Sequence, residues 1–473
     1  MKPLGWLGIA RLGLVQACMG AIVVMTTSTL NRVMVVELAL PALVPGVLVA
    51  LHYLVQVSRP RMGHGSDVGG QRTPWIVAGM VTLAAGGVLA ALATVWMASA
   101  LAPGLALAVL AFCLIGLGVS ASGTSVLVLL AKRVAPQRRG PAATLVWIMM
   151  IVGFAVTAGI AGKLLDPFSS GRLMLVSAGV SLTAVVVTLL ALWRLEGDAH
   201  AQRAATSLHD LQQTLPHDLP HGLPSHPAAG TPVPFRHALA QVWREPEARH
   251  FTIFVFVSML AYSAQDLILE PFAGAVFGFT PGQSTQLAGV QHAGVLAGML
   301  LVATCGLAAA RWQRWAALRA LGSLRLWTIG GCAASALALA LLALAGPSGG
   351  AWPLRETVFA LGVANGAFSI GAIGSMMQLA NHGREQREGL RIGLWGAAQA
   401  IAFGLGGLVG TGASDLARWL IDDIGLAYAS VFALQAGLFL FSGWLAAGIG
   451  RSAPADASLP PAGAGNFMTL EQR

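Results

Sequence analysis

A chain of 473 residues that is 56% hydrophobic and 10% charged, with a mean hydropathy of +0.72, is not an ordinary soluble protein. Its apolar residues run in long unbroken stretches, which excludes the short alternating segments of an outer-membrane barrel. The net charge of +9 would suggest nucleic acid in a soluble chain, but here the basic residues fall in short loops between apolar runs, so no nucleic-acid partner is expected.

In chain order, residues 3 to 10 read as a short interfacial segment with Trp6 at headgroup level. Membrane helices are predicted at about 12 to 37, 41 to 58, 75 to 99, 105 to 131, 141 to 162 and 173 to 193. Each is long enough for a hydrocarbon core of ~30 Å. Residues 194 to 249 then break the pattern with P-H-D-L-P-H-G-L-P-S-H-P, whose prolines and polar groups cannot pack as a membrane helix. The last part, from Pro234 to Arg249, reads as an amphipathic helix leading back to the membrane. Six further helices are predicted at about 250 to 272, 284 to 309, 326 to 345, 356 to 380, 392 to 412 and 427 to 449. The expected fold class is an all-α membrane protein, with twelve transmembrane helices in two six-helix pseudo-symmetric halves. Residues 1–193 form one half, 194–249 a cytoplasmic His/Pro-rich linker, 250–450 the second half and 451–473 a cytoplasmic tail.

Charge placement supports this count. With both termini cytoplasmic, all of the 28 Lys and Arg fall on the inner side except Arg32, Lys163, Arg172, Arg355 and Arg418. Tryptophans 6, 75, 193, 312, 327, 352 and 419 fall near predicted span ends, where interfacial anchors belong. A constant offset places Gly118 on Gly366, Gly123 on Gly371, Arg139 on Arg387, Trp147 on Trp395, Gly159 on Gly407 and Gly162 on Gly410, a repeat that relates spans four and five to spans ten and eleven. The 58 glycines point to closely packed helices. Cys18, Cys113, Cys305 and Cys332 all lie in apolar runs, without metal-ligand spacing, and read as packing residues.

Between the second and third spans stands R-P-R-M-G-H-G-S-D-V-G-G-Q-R-T-P-W. Read as G-x-x-x-D-x-x-G-x-R, it sets Gly63, Asp67, Gly70 and Arg72 in a tight polar loop that resembles the corresponding loop of the major facilitator superfamily. There Asp67 would cap a helix start or bond Arg72 or a neighbouring helix. The superfamily usually carries basic residues where this chain has Val68 and Gln71, so the charge network of a transporter latch is thinned.

Two further groups of residues invite a function. Asn31, Arg32 and Glu37 sit at the outer end of the first span, and Gln265, Asp266 and Glu270 at the outer end of the seventh. These spans hold equivalent places in the two halves, so an Arg32 pair with Asp266 or Glu270 would make an outer gate or a ligand-contacting polar site, unless both ends simply reach the headgroups. Carboxylates are otherwise expected at span ends and not near the midplane. His52 and His292 each lie inside an apolar span, either packed and hydrogen-bonded or free to ligate a metal. The other histidine cluster, at and near the linker, reads as solvated, with metal binding as the minor alternative. No P-loop, zinc-ligand spacing or G-x-S-x-G elbow is present, so no enzyme activity and no metal site is expected.

T-S-T-L-N-R-V-M-V-V-E-L at 27 to 38, L-V-A-L-H-Y at 48 to 53, the loop motif, Q-D-L-I-L-E-P-F at 265 to 272 and G-L-W-G-A-A-Q-A-I-A-F-G-L-G-G at 393 to 407 converge on something narrower. Together they resemble the PucC/LhaA family of phototrophic bacteria, the bacteriochlorophyll delivery branch of the facilitators, over nearly all of residues 10 to 449. The resemblance implies a light-harvesting antenna assembly factor of the bacterial inner (intracytoplasmic) membrane. It would bind bacteriochlorophyll or deliver it to newly inserted antenna α and β polypeptides, in contact with lipid and with pigment-synthesis enzymes. It also makes His52 and His292 candidate axial ligands for the pigment's magnesium. A secondary transporter of a small solute or pigment precursor, driven by ion exchange, is the alternative.

Overall fold

The computed structural model of the chain describes residues 4–56, 72–135, 138–195, 243–311, 320–348, 351–381 and 388–448. Gly63, Asp67 and Gly70 of the loop motif, most of the linker and the C-terminal tail lie outside these residues. Among the described residues every regular element is helical. The first span starts as α1 (Trp6–Val24) and runs on through two π-helical segments, Met25–Leu30 and Val33–Glu37. Then come α2 (Leu43–Val55), α3 (Thr73–Met97), α4 (Leu101–Arg133), α5 (Arg139–Leu165) and α6 (Ser170–Leu192). The seventh span is made of two pieces, α7 (Pro246–Asp266) and α8 (Leu269–Phe277). It is followed by α9 (Pro281–Arg311), α10 (Leu324–Ala345), α11 (Leu354–Asn381), α12 (Glu388–Leu420) and α13 (Ile424–Gly448). Eleven described segments are long and apolar enough to cross a membrane, and α2 is a shorter apolar helix between the first two of them.

Residues 3 to 10 are not a separate interfacial segment. Helix α1 begins at Trp6 and continues unbroken, because a single glycine such as Gly8 costs only about 1 kcal/mol within an otherwise apolar helical run. The seventh and eighth spans also start differently from expectation. Pro246 opens α7 in its first turn, where a missing N–H is harmless. Thr280 and Gln283 form a reciprocal cap on α9: the Gln283 N–H donates to Thr280 Oγ1 and the Thr280 N–H donates to Gln283 Oε1, both at 3.1 Å.

The helices pack twice over in one pattern. In the first half α1 lies on α5 and α6, α2 on α4, and α3 on α4 and α6. In the second, α7 lies on α12 and α13, α9 on α11, and α10 on α11 and α13. The halves meet along two seams, α5 against α9 and α2 against α12, which exchange when the halves are exchanged. Two large apolar cores follow this division, one built within residues 9–195 and one within 251–446. Leu267, at the break in the seventh span, is the exception: it packs into the first core. Two small clusters bridge the α5–α9 seam, Val24 with Ala158 and Ala288, and Ile151 with Val295 and Met299.

Glycine decides how closely the seams approach. A Cβ on Gly162 would stand 2.6 Å from the Gly282 carbonyl oxygen, and one on Gly282 would stand 2.4 Å from that of Gly162. A Cβ on Gly46 of α2 would stand 2.2 Å from Thr411 Oγ1 of α12. Small residues of this kind let membrane helices gain van der Waals contact that lipid cannot supply. The residue-by-residue repeat does not survive as a packing repeat. Trp395 is 1% exposed and packs edge-on against Phe251, while its counterpart Trp147 is 41% exposed. The two-fold relation lives in which helices touch, not in those paired side chains.

Candidate functional site

The polar residues of the first span are turned inward by the π-helical segments. A π turn is wider than an α turn, and it rotates residues five apart toward one side. Thr26, Ser28, Thr29, Asn31 and Arg32 are all buried as a result. Arg32 pairs with Glu37, five residues on, and not with Asp266 or Glu270 as the sequence suggested. Its guanidinium also reaches Ser284 Oγ at 3.4 Å, and it packs on Gly274, where a Cβ would stand 2.9 Å from Nη2. Arg32 is thus held between its own span, α8 and the start of α9.

Opposite it, the seventh span is interrupted. Helix α7 ends at Asp266 and α8 begins at Leu269, which frees backbone groups that an intact helix would satisfy internally. Asn31 Nδ2 donates to the Leu267 carbonyl at 2.7 Å. Ser28 Oγ donates to Glu270 Oε1. The Thr29 and Thr285 hydroxyls join α9 to the first span at 2.9 Å. The first and seventh spans therefore meet at their irregular points, and Asn31, Arg32, Glu37, Asp266 and Glu270 converge on one polar core between the halves. Glu270 is 2% exposed and Gln265 fully buried. Because the seventh span continues to Phe277, 32 residues from Pro246, Asp266 and Glu270 lie inside it. The expected confinement of carboxylates to span ends is overturned for these two.

The core extends toward α2 and α12 through aromatic rings. Tyr262 lies beside Asp266 and Tyr53. Phe403 of α12 sits 5.6 Å from Tyr53 and 6.0 Å from Tyr262, centroid to centroid. His52, the neighbour of Tyr53, is buried and accepts from the Gln56 amide, Nε2 to Nε2 at 2.9 Å, a bond within its own helix. His292 differs. Its ring lies 4.9 Å from that of Phe154 across the α5–α9 seam, and its buried Nδ1 has no hydrogen-bond partner among the described residues.

Two carboxylates that sequence reasoning passed over join the halves at their outer ends. Asp415 of α12 accepts the N–H groups of Ala42 at 2.9 Å and Leu43 at 2.7 Å, at the start of α2. Asp166, at the end of α5, accepts the Thr280 hydroxyl at 2.7 Å, at the start of α9. The two contacts are related by the same exchange as the seams. A signal was present in each case: an acidic residue at the outer end of a span whose partner helix needs an N-terminal acceptor. Arg72, the one described residue of the loop motif, precedes α3, and its carbonyl accepts from Ile76 N at 3.0 Å.

Among the described residues no three His, Cys, Asp or Glu side chains are grouped to hold a metal ion. The four cysteines are unpaired thiols, two of them buried. On the membrane-facing side, α9, α10 and α11 enclose an apolar cavity of about 510 Å³ lined by Leu301, Trp327, Gly330, Phe359 and Val363.

A sequence model described as PUCC protein matches residues 29–453, which take in the π-helical segments, the broken seventh span and both seams. The chain belongs to the PUCC protein family. Its relatives include the bacteriochlorophyll synthase 44.5 kDa chain of Rhodobacter capsulatus, 50% identical over 446 residues that cover 94% of this chain and 96% of that one. Protein PucC of Rhodobacter capsulatus is 28% identical over 446 residues, covering 90% and 89%. Among solved structures the nucleoside transporter NupG superposes with a TM-score of 0.59 at 14% identity, over 94% of this chain and 100% of that one. A bacterial homologue of the human lysosomal transporter Spinster, inward-facing and unoccupied, gives 0.58 at 13%, covering 93% and 94%. At such identities these two speak for the fold alone, which is the major facilitator fold. The PUCC family relationship ties the chain to phototrophic bacteria and their pigment and antenna proteins, and the helices make it a multi-pass membrane protein.

Proposed function

We propose that this PUCC family protein is a light-harvesting antenna assembly factor that binds bacteriochlorophyll and passes it to newly inserted antenna α and β polypeptides. The observation that carries the reading is the near full-length relation, at 50% identity, to a protein named as a chain of bacteriochlorophyll synthase, alongside the PucC relatives. We read that relative's name as pointing to a partner of the pigment-synthesis enzymes and not to a catalyst, because the shared fold is that of transporters. The protein would sit in the bacterial inner (intracytoplasmic) membrane with both termini cytoplasmic, a placement supported by the excess of Lys and Arg in the loops on the side of the termini.

The residues fit the pigment unequally. Bacteriochlorophyll supplies a magnesium ion that takes an axial nitrogen ligand, and an imidazole offers one only if that nitrogen is not already bonded. His292, with no hydrogen bond at Nδ1, meets the requirement, whereas His52 accepts from Gln56 at Nε2 and so carries its ring proton on Nδ1, which leaves neither nitrogen a lone pair to give. Purification of the full chain from a pigment-producing host in mild detergent, followed by an absorption spectrum and a peptide inventory, tests the reading. Co-purified bacteriochlorophyll together with antenna peptides is expected. A colourless protein, or one that esterifies a pigment precursor without added enzyme, overturns it.

One observation favours a second reading. Two carboxylates inside a membrane span at its break, Glu270 buried and Asp266 half-buried, are what a secondary transporter uses to exchange ions for solute. Solute uptake by liposomes bearing the purified protein, driven by an ion gradient and absent from empty liposomes, would favour it over pigment delivery.

A further inference from the structure

The polar core between the first and seventh spans holds one cation and three anions. Arg32 pairs with Glu37 and its charge also acts on Glu270, so among the described residues this single cation faces all three carboxylates and two negative charges remain in excess. Asp266 and Glu270 both lie in a membrane-spanning segment, and Glu270 is 2% exposed. Two excess negative charges at that depth are costly enough that some positive species must accompany them.

Oxygen atoms at the break identify the kind of species. Glu270 Oε1 takes the Ser28 hydroxyl, but its Oε2 is buried with no donor. Asn31 is held at the break by its Nδ2 bond to the Leu267 carbonyl, and its Oδ1 is likewise buried and without a donor. Asn31 lies on the other half of the protein and is not an acid, so it reports on the site independently of the carboxylates. The C-terminal end of α7 points its carbonyls at the same place, adding negative potential. Hard cations take oxygen ligands of this mixed kind, and interrupted membrane helices supply them from unwound backbone and helix ends. A divalent ion asks for more: the described residues offer no group of three acidic or histidine ligands.

We propose that the break in the seventh span binds a small monovalent cation, a sodium ion or a proton, between Glu270, Asp266 and Asn31 Oδ1. Arg32 and Glu37 face it from the first span, Tyr262 from α7 and Tyr53 from α2, while α9 contributes Thr285 and Gln291. His292 of α9 turns to Phe154 instead. Since Asn31 belongs to one half and the carboxylates to the other, the cation joins the halves, and its loss loosens them. The reading stands whether or not the protein carries pigment.

Thermal unfolding of the detergent-purified full chain tests this. In one arm sodium chloride replaces choline chloride at constant ionic strength and pH 8; in the other, pH falls from 8 to 5 in choline chloride. Ligand that binds only the folded form raises the unfolding midpoint. A rise of several degrees in the first arm assigns sodium, and a rise confined to the second assigns the proton. In either case Glu270→Gln flattens the response, as does Asp266→Asn, whereas Asp166→Asn, at the outer seam, leaves it intact. A wild-type midpoint that moves in neither arm overturns the proposal, even if no variant can be purified. So does a Glu270→Gln protein with the full wild-type response.

Discussion

Asn31 and Leu267 are joined side chain to carbonyl at 2.7 Å across the two halves of the chain. One lies between the two π-helical segments of the first span, the other where the seventh span stops being a helix at all. Each irregularity gives the other its partner: the π segment turns an amide inward, and the break offers a carbonyl that no N–H of its own helix can take. Leu267 then seats its side chain in the core of the opposite half.

Asn31→Leu should therefore destabilise the protein by ~1–3 kcal/mol, since it strands a buried carbonyl while keeping the volume. The thermal midpoint in detergent reports this. A midpoint equal to wild type would mean that the carbonyl finds water, and that the bond does not hold the halves.

The outer carboxylates should act as a symmetric pair. Asp415→Ala removes the acceptor of two N–H groups at the start of α2, a loss of ~0.5–2 kcal/mol by analogy with helix capping. Asp166→Ala frees Thr280 at the start of α9. Maleimide labelling of a cysteine placed at the outer mouth should rise in each variant, and the two effects should add, because the contacts share no residue.

The seams tolerate no side chain at their closest points. Gly162→Val and Gly46→Leu each drive a Cβ to within 2.6 Å of an atom on the facing helix, backbone in the first case. Overpacking of this sort costs ~1–3 kcal/mol, more where backbone must move. Gly289→Ala on α9 meets the α5 backbone less severely, its Cβ 3.1 Å from the Gly159 nitrogen, and serves as the milder comparison, with Gly171→Ala, which has open space around its Cβ, as the neutral one. Size-exclusion profiles in detergent should rank the four in that order.

Two tryptophans related by the sequence repeat should behave differently. Trp395→Ala empties a packed site beside Phe251 and should cost ~3–5 kcal/mol. Trp147→Ala removes a side chain that already faces outward and should shift the midpoint little. Equal losses would mean that the repeat is a packing repeat after all.

Under the pigment reading, His292→Leu should lower the bacteriochlorophyll that co-purifies with the protein several-fold, and His52→Leu should lower it much less. The ratio of pigment absorbance to protein measures both. The reverse order would move the axial ligand to α2.

Much of the architecture was legible along the chain. Apolar runs of sufficient length, broken by short basic loops, specify helices that cross a membrane, because a backbone without water has few other ways to satisfy its own groups. That Arg32, Glu37, Asp266 and Glu270 matter was legible for a related reason: charged side chains are too costly among apolar residues to be there by default.

Pairing was not legible. Which acid Arg32 takes depends on the π-helical winding that follows it, and nothing in N-R-V-M-V-V-E announces backbone bonds to the fifth residue rather than the fourth. The depth of Asp266 depends on α8 continuing the seventh span after a break, so the span is longer than its hydropathy implied. Asp166 and Asp415 acquire their roles only when α5 and α12 are set beside the starts of α9 and α2. Composition and periodicity are local properties, and by themselves they determined the run of apolar helices and the residues with something to explain. The partner of each polar group is a property of two helices that meet hundreds of residues apart, and only the tertiary structure could decide it.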